Sequence, residues 1–120
     1  METRRSLRVA DAVLHEVADI IQREVKDPRI GFVTFTSAHV SPDLHYARVY
    51  YTVLGDRSAL EQTKKGLESA SPFVRRELGR RLRLKVIPEL RFEYDEALER
   101  ELRLQGILKD IGHEQEEPDR

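Results

Sequence analysis

The chain has 120 residues, of which 39% are hydrophobic and 36% are charged, and its formal net charge is −1. This length and composition indicate one domain with a modest hydrophobic core. No apolar run approaches the roughly 20 residues that span a bilayer, and no apolar segment of a signal peptide follows the early arginines. The sequence contains no cysteine, which excludes disulfides and thiolate metal sites. We expect a cytoplasmic protein.

The first predicted element is an amphipathic helix. Ser6 is a suitable N-cap. Pro28 disfavours helical angles at the residue before it, so we expect the helix to end near Lys26. Apolar residues recur at spacings of three and four, as on a helix face that packs against a core. They are Ala10, Val13, Leu14, Val17 and Ile21.

Two strands are predicted next, over residues 32–41 and 45–53, because both segments are rich in β-branched and aromatic side chains. The short connection between them contains Pro42 and predicts an antiparallel hairpin. Alternating side chains of the second strand are expected on its buried face. They are Ala47, Val49, Tyr51 and Val53.

The middle of the chain predicts a helix that stops and restarts. Ser58 and Glu61 have the spacing of a capping box and begin a helix that is expected to end near Ala70. Ser71 is then a suitable N-cap, and Pro72 is a suitable first residue of a second helix. Because Pro72 disfavours helical angles at Ser71, we predict a kink at Ala70, Ser71 and Pro72.

The helix after the kink has an apolar side and a guanidinium-rich side. At 100° per residue, Val74, Leu78 and Leu82 share one face, and several arginines lie opposite or beside them. Residues 72–91 carry a net charge of +5, whereas residues 93–119 carry −7. A basic region beside an acidic one is typical of proteins that bind a polyanion, although single exposed charges often only solvate a helix.

A third strand over residues 83–94 and a C-terminal helix complete the predicted elements. Pro88 indicates an edge position or a bulge in that strand, because proline cannot donate to the ladder. Asp95 is expected to cap the helix, which should end at about residues 108–111. Candidates for the core face of the strand are Val86, Leu90, Phe92 and Tyr94.

No catalytic, metal or cofactor motif is recognisable. The chain has no glycine-rich phosphate loop and no nucleophile elbow. His39 and His45 could face each other across the hairpin, but a pair is better explained as structural, because catalytic zinc usually takes three protein ligands. We therefore expect no enzyme activity, no metal and no cofactor, and we interpret the chain as a binding module.

The element order favours one α+β, KH-like domain over residues 1–112, followed by an acidic, disordered tail at 113–120. An ordinary KH module clamps the nucleic-acid backbone with a GXXG loop between its helices, and residues 68–72 contain no such loop. We expect a modified module that binds by shape and charge. Two alternatives stay open: a DNA-binding protein with residues 71–83 as its recognition helix, and a protein-interaction module whose arginines meet an acidic partner.

Short stretches of this chain resemble bacterial ribosome-binding factor A in order and spacing over about residues 4–111. They are Arg8–Ala10, Asp27–Arg29, Val40–Leu44, Ala47–Tyr50, Phe73–Gly79, Leu82–Leu84, Pro88–Phe92 and Tyr94–Asp95. The resemblance implies a type II KH-like fold of order α-β-β-α-kink-α-β with a C-terminal helix. In that family an Ala-x-Gly kink replaces the GXXG loop, and Pro72 stands where the glycine usually is.

The resemblance also implies a non-catalytic factor that binds the small ribosomal subunit and its rRNA. Such a factor assists late maturation and 5′-end processing of the small-subunit rRNA precursor and is important in the cold. We expect a monomer that contacts rRNA phosphates, which position a protein but carry little sequence information. The residues expected to make these contacts are Arg4, Arg5, Arg8, Ser71, Arg75, Arg76, Arg80, Arg81, Arg83 and Lys85.

Overall fold

The computed structural model describes residues 3–106. In chain order, the elements are α1 (Arg4–Glu24), β1 (Phe32–Val40), β2 (Tyr46–Leu54), α2 (Arg57–Leu82), β3 (Glu89–Tyr94) and α3 (Glu96–Leu104). The predicted α+β class is confirmed, and its KH-like character stays a prediction. The predicted tail at 113–120 and the predicted helix end at 108–111 lie outside the described residues.

The strands form one sheet in the order β1-β2-β3. β1 and β2 pair antiparallel, which confirms the predicted hairpin, and a bulge interrupts their register between Phe35 and Ser37. β2 and β3 pair parallel, with Val49 opposite Phe92. Parallel neighbours need a long crossover between them, and α2 provides it by returning the chain to the other end of the sheet.

The core lies between one face of the sheet and helices α1 and α2. The four residues predicted for the buried face of β2 are all at most 2% exposed. Ala10, Val13, Val17 and Ile21 of the predicted α1 stripe are buried as well. Leu14, Leu90, Phe92 and Tyr94 pack against this core while partly exposed. The alternation of apolar residues in β2 and their 3.6-residue period in α1 therefore predicted the buried faces of the sheet and the helix correctly.

The predicted cap of α3, Asp95, is confirmed, whereas the predicted N-caps of α1 and α2 are wrong by a few residues. Thr3 caps α1, and Ser6 is its reciprocal partner: the Thr3 amide donates to Ser6 Oγ at 2.8 Å, and the Ser6 amide donates to Thr3 Oγ1 at 3.1 Å. Asp56 caps α2 by accepting from the Ala59 amide at 2.9 Å, so Ser58 lies inside the first turn. In both helices, the side-chain oxygen of a residue that precedes the predicted cap accepts a hydrogen bond from a first-turn amide that has no partner within the helix.

The predicted helix end at Ala70 and restart at Ser71 are wrong, because α2 is one helix with Pro72 inside it. An interior proline lacks the amide that would close a turn and costs about 3 kcal/mol. Burial offsets this cost, since Leu67 before the proline and Val74 after it are both fully buried. A bend at Pro72 stays a prediction.

The third strand begins later than predicted, at Glu89. Helix α2 ends at its C-cap Arg83, a left-handed residue with φ 53° and ψ 43°, whose amide donates to the Gly79 carbonyl at 3.0 Å. Residues 84–88 then connect α2 to β3. Pro88 thus precedes the strand instead of interrupting its ladder, and Val86 lies outside the strand.

Candidate nucleic-acid interface

Arg81 is enclosed by carboxylates where α1 and α2 meet. Its Nη1 donates to Glu16 Oε1 and to Asp19 Oδ2, both at 2.8 Å, and its Nη2 donates to Glu24. The side chain is only 20% exposed. The hydrogen bonds to Asp19 and Glu16 raise the pKa of Arg81, and the bond from Arg81 lowers the pKa of Asp19. Arg81 therefore joins the two helices, and its contact with RNA stays a prediction.

Arg75 has a structural role as well. Its Nε donates to the Pro88 carbonyl at 3.1 Å, and its Nη2 donates to the Ile87 carbonyl at 2.8 Å. These two bonds hold the connector that leads into β3 against α2. The guanidinium keeps its positive charge, but part of its donor set is already used within the protein.

Arg80 remains available to a phosphate although it is paired. Its Nη2 lies 2.7 Å from Glu77 Oε1, and its side chain is 72% exposed. This hydrogen bond raises the pKa of Arg80 and lowers the pKa of Glu77. Because exposed ion pairs of this kind contribute little to stability, a phosphate oxygen can replace the carboxylate.

The remaining predicted cations are exposed and make no side-chain ion pair or hydrogen bond within residues 3–106. They are Arg4, Arg5, Arg8, Arg76, Arg83 and Lys85. Arg76 instead lies over the Phe73 ring, with its guanidinium carbon 5.9 Å from the ring centroid, a cation–π geometry. A spacing of four residues brings Arg76 and Arg80 to one side of α2, and Arg83 follows at the C-cap of the helix.

The start of α1 and the end of α2, which are distant in sequence, meet at an open groove. We call it the α1–α2 groove. Its volume is about 350 Å³, and its lining residues are Arg5, Arg8, Val9, Ala12, Leu82 and Leu84. Since Arg83 lies between two of these residues in sequence, the start of α1 and the end of α2 form one basic end of the protein. We refer to the exposed cations there and along the second half of α2 as the basic surface.

The predicted kink residues lie away from this end. Ser71 is half-buried in α2, Ala70 packs against the core, and Pro72 is exposed. Ser71 lies eleven positions before Leu82, which corresponds to about 16 Å along a helix. Ser71 therefore belongs to a different part of α2 from the groove.

The open face of the sheet carries groups that the sequence prediction missed. Tyr46, Arg48 and Tyr50 of β2 lie on the face opposite the core, and Arg91 of β3 is in register with Arg48. Arg48 forms an ion pair with Glu93 at 3.4 Å. The alternation that predicted Tyr51 in the core also predicts that its neighbours in β2 lie on the opposite face. The sequence pattern could therefore have identified the residues of the open face.

The predicted opposition of His39 and His45 is wrong. The register places Arg48 opposite His39, and the His39 ring meets Tyr50 edge-on at a centroid distance of 5.7 Å. Among residues 3–106, no three His, Cys, Asp or Glu side chains form a group that could hold a metal ion. No helix in this part of the chain combines the length and apolarity needed to cross a membrane.

The sequence profile of ribosome-binding factor A matches residues 5–108. A ribosome-binding factor A of Geobacter sulfurreducens is 48% identical over 107 residues, covering 89% of this chain and 91% of that relative. The chain belongs to the ribosome-binding factor A family. A second family member, from Staphylococcus carnosus, is 44% identical over 111 residues, with 92% and 96% coverage. The resemblance inferred from the sequence motifs is confirmed.

Solved structures of similar proteins support the same fold. The solution structure of a Thermotoga maritima protein aligns with a TM-score of 0.67 at 32% identity, covering 78% of this chain and 89% of that one. A homology model of Thermus thermophilus ribosome-binding factor A, fitted into a cryo-electron microscopy map of its complex with the 30S subunit, aligns with a TM-score of 0.58 at 22% identity, with coverages of 80% and 97%. The latter likeness shows the shared fold.

Proposed function

We propose that this chain binds the small ribosomal subunit through its basic surface and assists maturation of the subunit without catalysis. The observation that carries the proposal is the separation of the arginines by role. Arg81 and Arg75 are used inside the protein, whereas Arg76 and Arg83 remain exposed, with no ion pair inside residues 3–106. A surface of unpaired guanidinium groups suits the phosphates of folded rRNA.

The choice of the small subunit as the target follows from the family. The Thermus thermophilus relative is described in complex with the 30S subunit, and this chain has a comparable fold. Phosphate contacts position a protein, and specificity then comes from fitting the shape of the RNA. The KH-like, modified module expected from the sequence is consistent with this mode of recognition.

The role in maturation follows from preferential binding. A protein that binds one rRNA arrangement better than another shifts the population toward that arrangement. We propose that this shift assists late folding and 5′-end processing of the small-subunit rRNA precursor in the cytoplasm, with the largest effect in the cold. The protein then acts as a monomer and leaves the subunit chemically unchanged by its own action.

The double substitution Arg76→Glu with Arg80→Glu tests the proposed surface. Reversing two charges should weaken binding to purified small subunits by at least about tenfold. Each lost phosphate contact should also reduce the slope of log affinity against log salt by about 0.7–0.9. Sedimentation of the protein with mature and precursor subunits at several salt concentrations measures both quantities.

Lys64→Glu with Arg100→Glu is the matched control, because it makes the same change in net charge away from the basic surface. Lys64 lies twelve positions before Arg76 on α2, about 18 Å along the helix, and Arg100 is on α3. The control should retain nearly wild-type binding. Equal losses in the two double variants would show that net charge, and not this surface, governs binding.

A cellular assay tests the maturation role. Cells that lack the protein should accumulate small-subunit rRNA with an unprocessed 5′ end at low temperature. The wild-type chain should restore processing, and the Arg76→Glu, Arg80→Glu variant should not. Normal processing in cells without the protein would overturn the maturation role. Retention of the protein by subunits after ribonuclease digestion would favour a protein partner instead of rRNA.

A further inference from the structure

The α1–α2 groove combines an apolar floor with a cationic rim. Val9 and Ala12 of α1 and Leu82 and Leu84 at the end of α2 supply aliphatic surface, and Arg5 and Arg8 lie at its margin. None of the lining residues is acidic. A phosphate-binding surface does not require an apolar depression, so the groove needs a further explanation.

The backbone at Arg83 shapes this groove. Its left-handed conformation ends α2 and turns the chain so that both Leu82 and Leu84 line the groove. A non-glycine residue with positive φ is strained, and such residues cluster at functional sites. The same turn leaves the side chain of Arg83 exposed, and in the sequence Arg83 lies between two residues that line the groove.

We propose that the α1–α2 groove receives an unpaired nucleobase of the bound RNA, an inference that rests on the proposed function. The flat face of a base packs against aliphatic side chains, while the flanking phosphates reach the Arg5, Arg8 and Arg83 guanidinium groups. Base pairs in an intact duplex keep their faces stacked and cannot enter. The site therefore selects RNA with an extruded or single-stranded nucleotide next to a helix.

The dimensions and charge of the groove favour a base over a peptide. A volume of about 350 Å³ lined by a few side chains accommodates a single ring system. A stable protein interface buries about 800 Å² on each partner, far more than this groove offers. The exposed cations around it, unpaired within the described part of the chain, match a polyanion such as RNA.

Three hairpin RNAs of one sequence test the proposal with the full-length protein. The first contains a single bulged adenosine, the second an abasic nucleotide at the same position, and the third is fully paired. Fluorescence anisotropy should show that the wild type binds the bulged adenosine about tenfold more tightly than the abasic RNA, because one face of the base is removed from water against aliphatic side chains.

Ala12→Met should fill the groove and remove this preference while leaving the affinity for the abasic and paired RNAs unchanged. Ala97→Met is the matched control, because Ala97 is exposed on α3 away from the groove, and it should keep the tenfold ratio. Arg83→Gly should weaken binding of bulged and abasic RNA by the same factor, since glycine accepts the left-handed backbone and only the phosphate contact is lost.

Equal wild-type affinity for bulged and abasic RNA would overturn the base-binding inference and leave the proposed function intact. The proposed function fails on a different result, namely unchanged subunit binding by the Arg76→Glu, Arg80→Glu variant. If the Ala12→Met variant instead keeps its preference for bulged over abasic RNA and loses binding to ribosomal proteins of ribonuclease-treated subunits, the groove is a protein site and the inference is wrong. The ratio of the wild-type affinities for bulged and abasic RNA tests the base-binding inference even if a variant folds poorly.

Discussion

Arginines of the same helix perform different tasks, and their surroundings decide which. Arg81 faces α1, where Glu16, Asp19 and Glu24 surround its guanidinium group. Arg76, five positions earlier, is exposed, and its guanidinium group lies over the Phe73 ring. A guanidinium group that already has carboxylate partners gains little from a phosphate, so Arg81 and Arg76 should respond differently to substitution.

Arg81→Ala should destabilise the protein, because Glu16 and Glu24 lose their cationic partner and Asp19 keeps only Arg23 among residues 3–106. Arg76→Ala should leave stability unchanged and weaken subunit binding. Urea unfolding followed by circular dichroism, together with subunit sedimentation, separates the two effects. Loss of stability in Arg76→Ala and a wild-type urea midpoint in Arg81→Ala would contradict this assignment.

The stability difference caused by Arg81→Ala should depend on pH. Arg81 lowers the pKa of Asp19 in the folded state, so the contribution of this pair is fully present above the unfolded pKa of about 3.9. It is lost as the pH falls through the lowered pKa of the folded state. Urea midpoints of the wild type and Arg81→Ala should therefore differ at pH 7 and converge in strong acid.

At the scale of elements, α2 depends on two glycines that permit close contacts. A Cβ atom added at Gly66 would lie 2.6 Å from Ile30 Cγ1, and one added at Gly79 would lie 2.8 Å from Ile87 Cγ1. Both distances are far below ordinary van der Waals contact. The connectors before β1 and before β3 can therefore pack directly on the backbone of α2, which orders both ends of the sheet.

Gly79→Ala should destabilise the protein despite the higher helix propensity of alanine. The propensity gain of about 1 kcal/mol is opposed by overpacking against Ile87, which typically costs about 1–3 kcal/mol. Thermal unfolding should show a lower midpoint for Gly79→Ala.

A double-mutant cycle with Ile87→Ala provides the control for that prediction, because the smaller side chain makes room for the new Cβ. The double variant should lose less stability than the sum of the two single losses. Strict additivity would show that the contact between Gly79 and Ile87 does not limit the packing of α2.

At the scale of the whole molecule, charge is separated along the chain. The basic surface lies at the start of α1 and the second half of α2, whereas residues 113–120 contain four acidic residues and one arginine, a net charge of −3. An acidic segment competes with RNA phosphates for exposed arginines. We propose that residues 113–120 restrain binding to RNA other than the proper rRNA site.

Deletion of residues 113–120 should raise the affinity for unstructured RNA several-fold at low salt and much less at high salt, where charges are screened. The unfolding temperature should not change, because the domain is expected to be complete at residue 112. Anisotropy titrations of a single-stranded RNA at two salt concentrations measure the effect. Unchanged affinity at low salt would remove the electrostatic role of this segment.

Local patterns in the sequence determined the elements and which side of each faces the core. The period-3.6 stripe of α1 and the alternation in β2 from Ala47 to Val53 correctly assigned most of the buried residues, because backbone geometry alone links these periods to a face. The family could also be inferred from short motifs, since these motifs occur in this chain in the order and spacing of the family, whose profile matches residues 5–108.

Contacts between distant residues decided what local patterns could not. Burial of Leu67 and Val74 kept α2 continuous through Pro72, although local preferences predicted a break. Arg81 joins carboxylates more than fifty positions away, so its periodicity could not distinguish an ion-pair network from an RNA surface. The groove likewise exists only because the fold brings Arg8 beside Leu84, a proximity that sequence separation conceals.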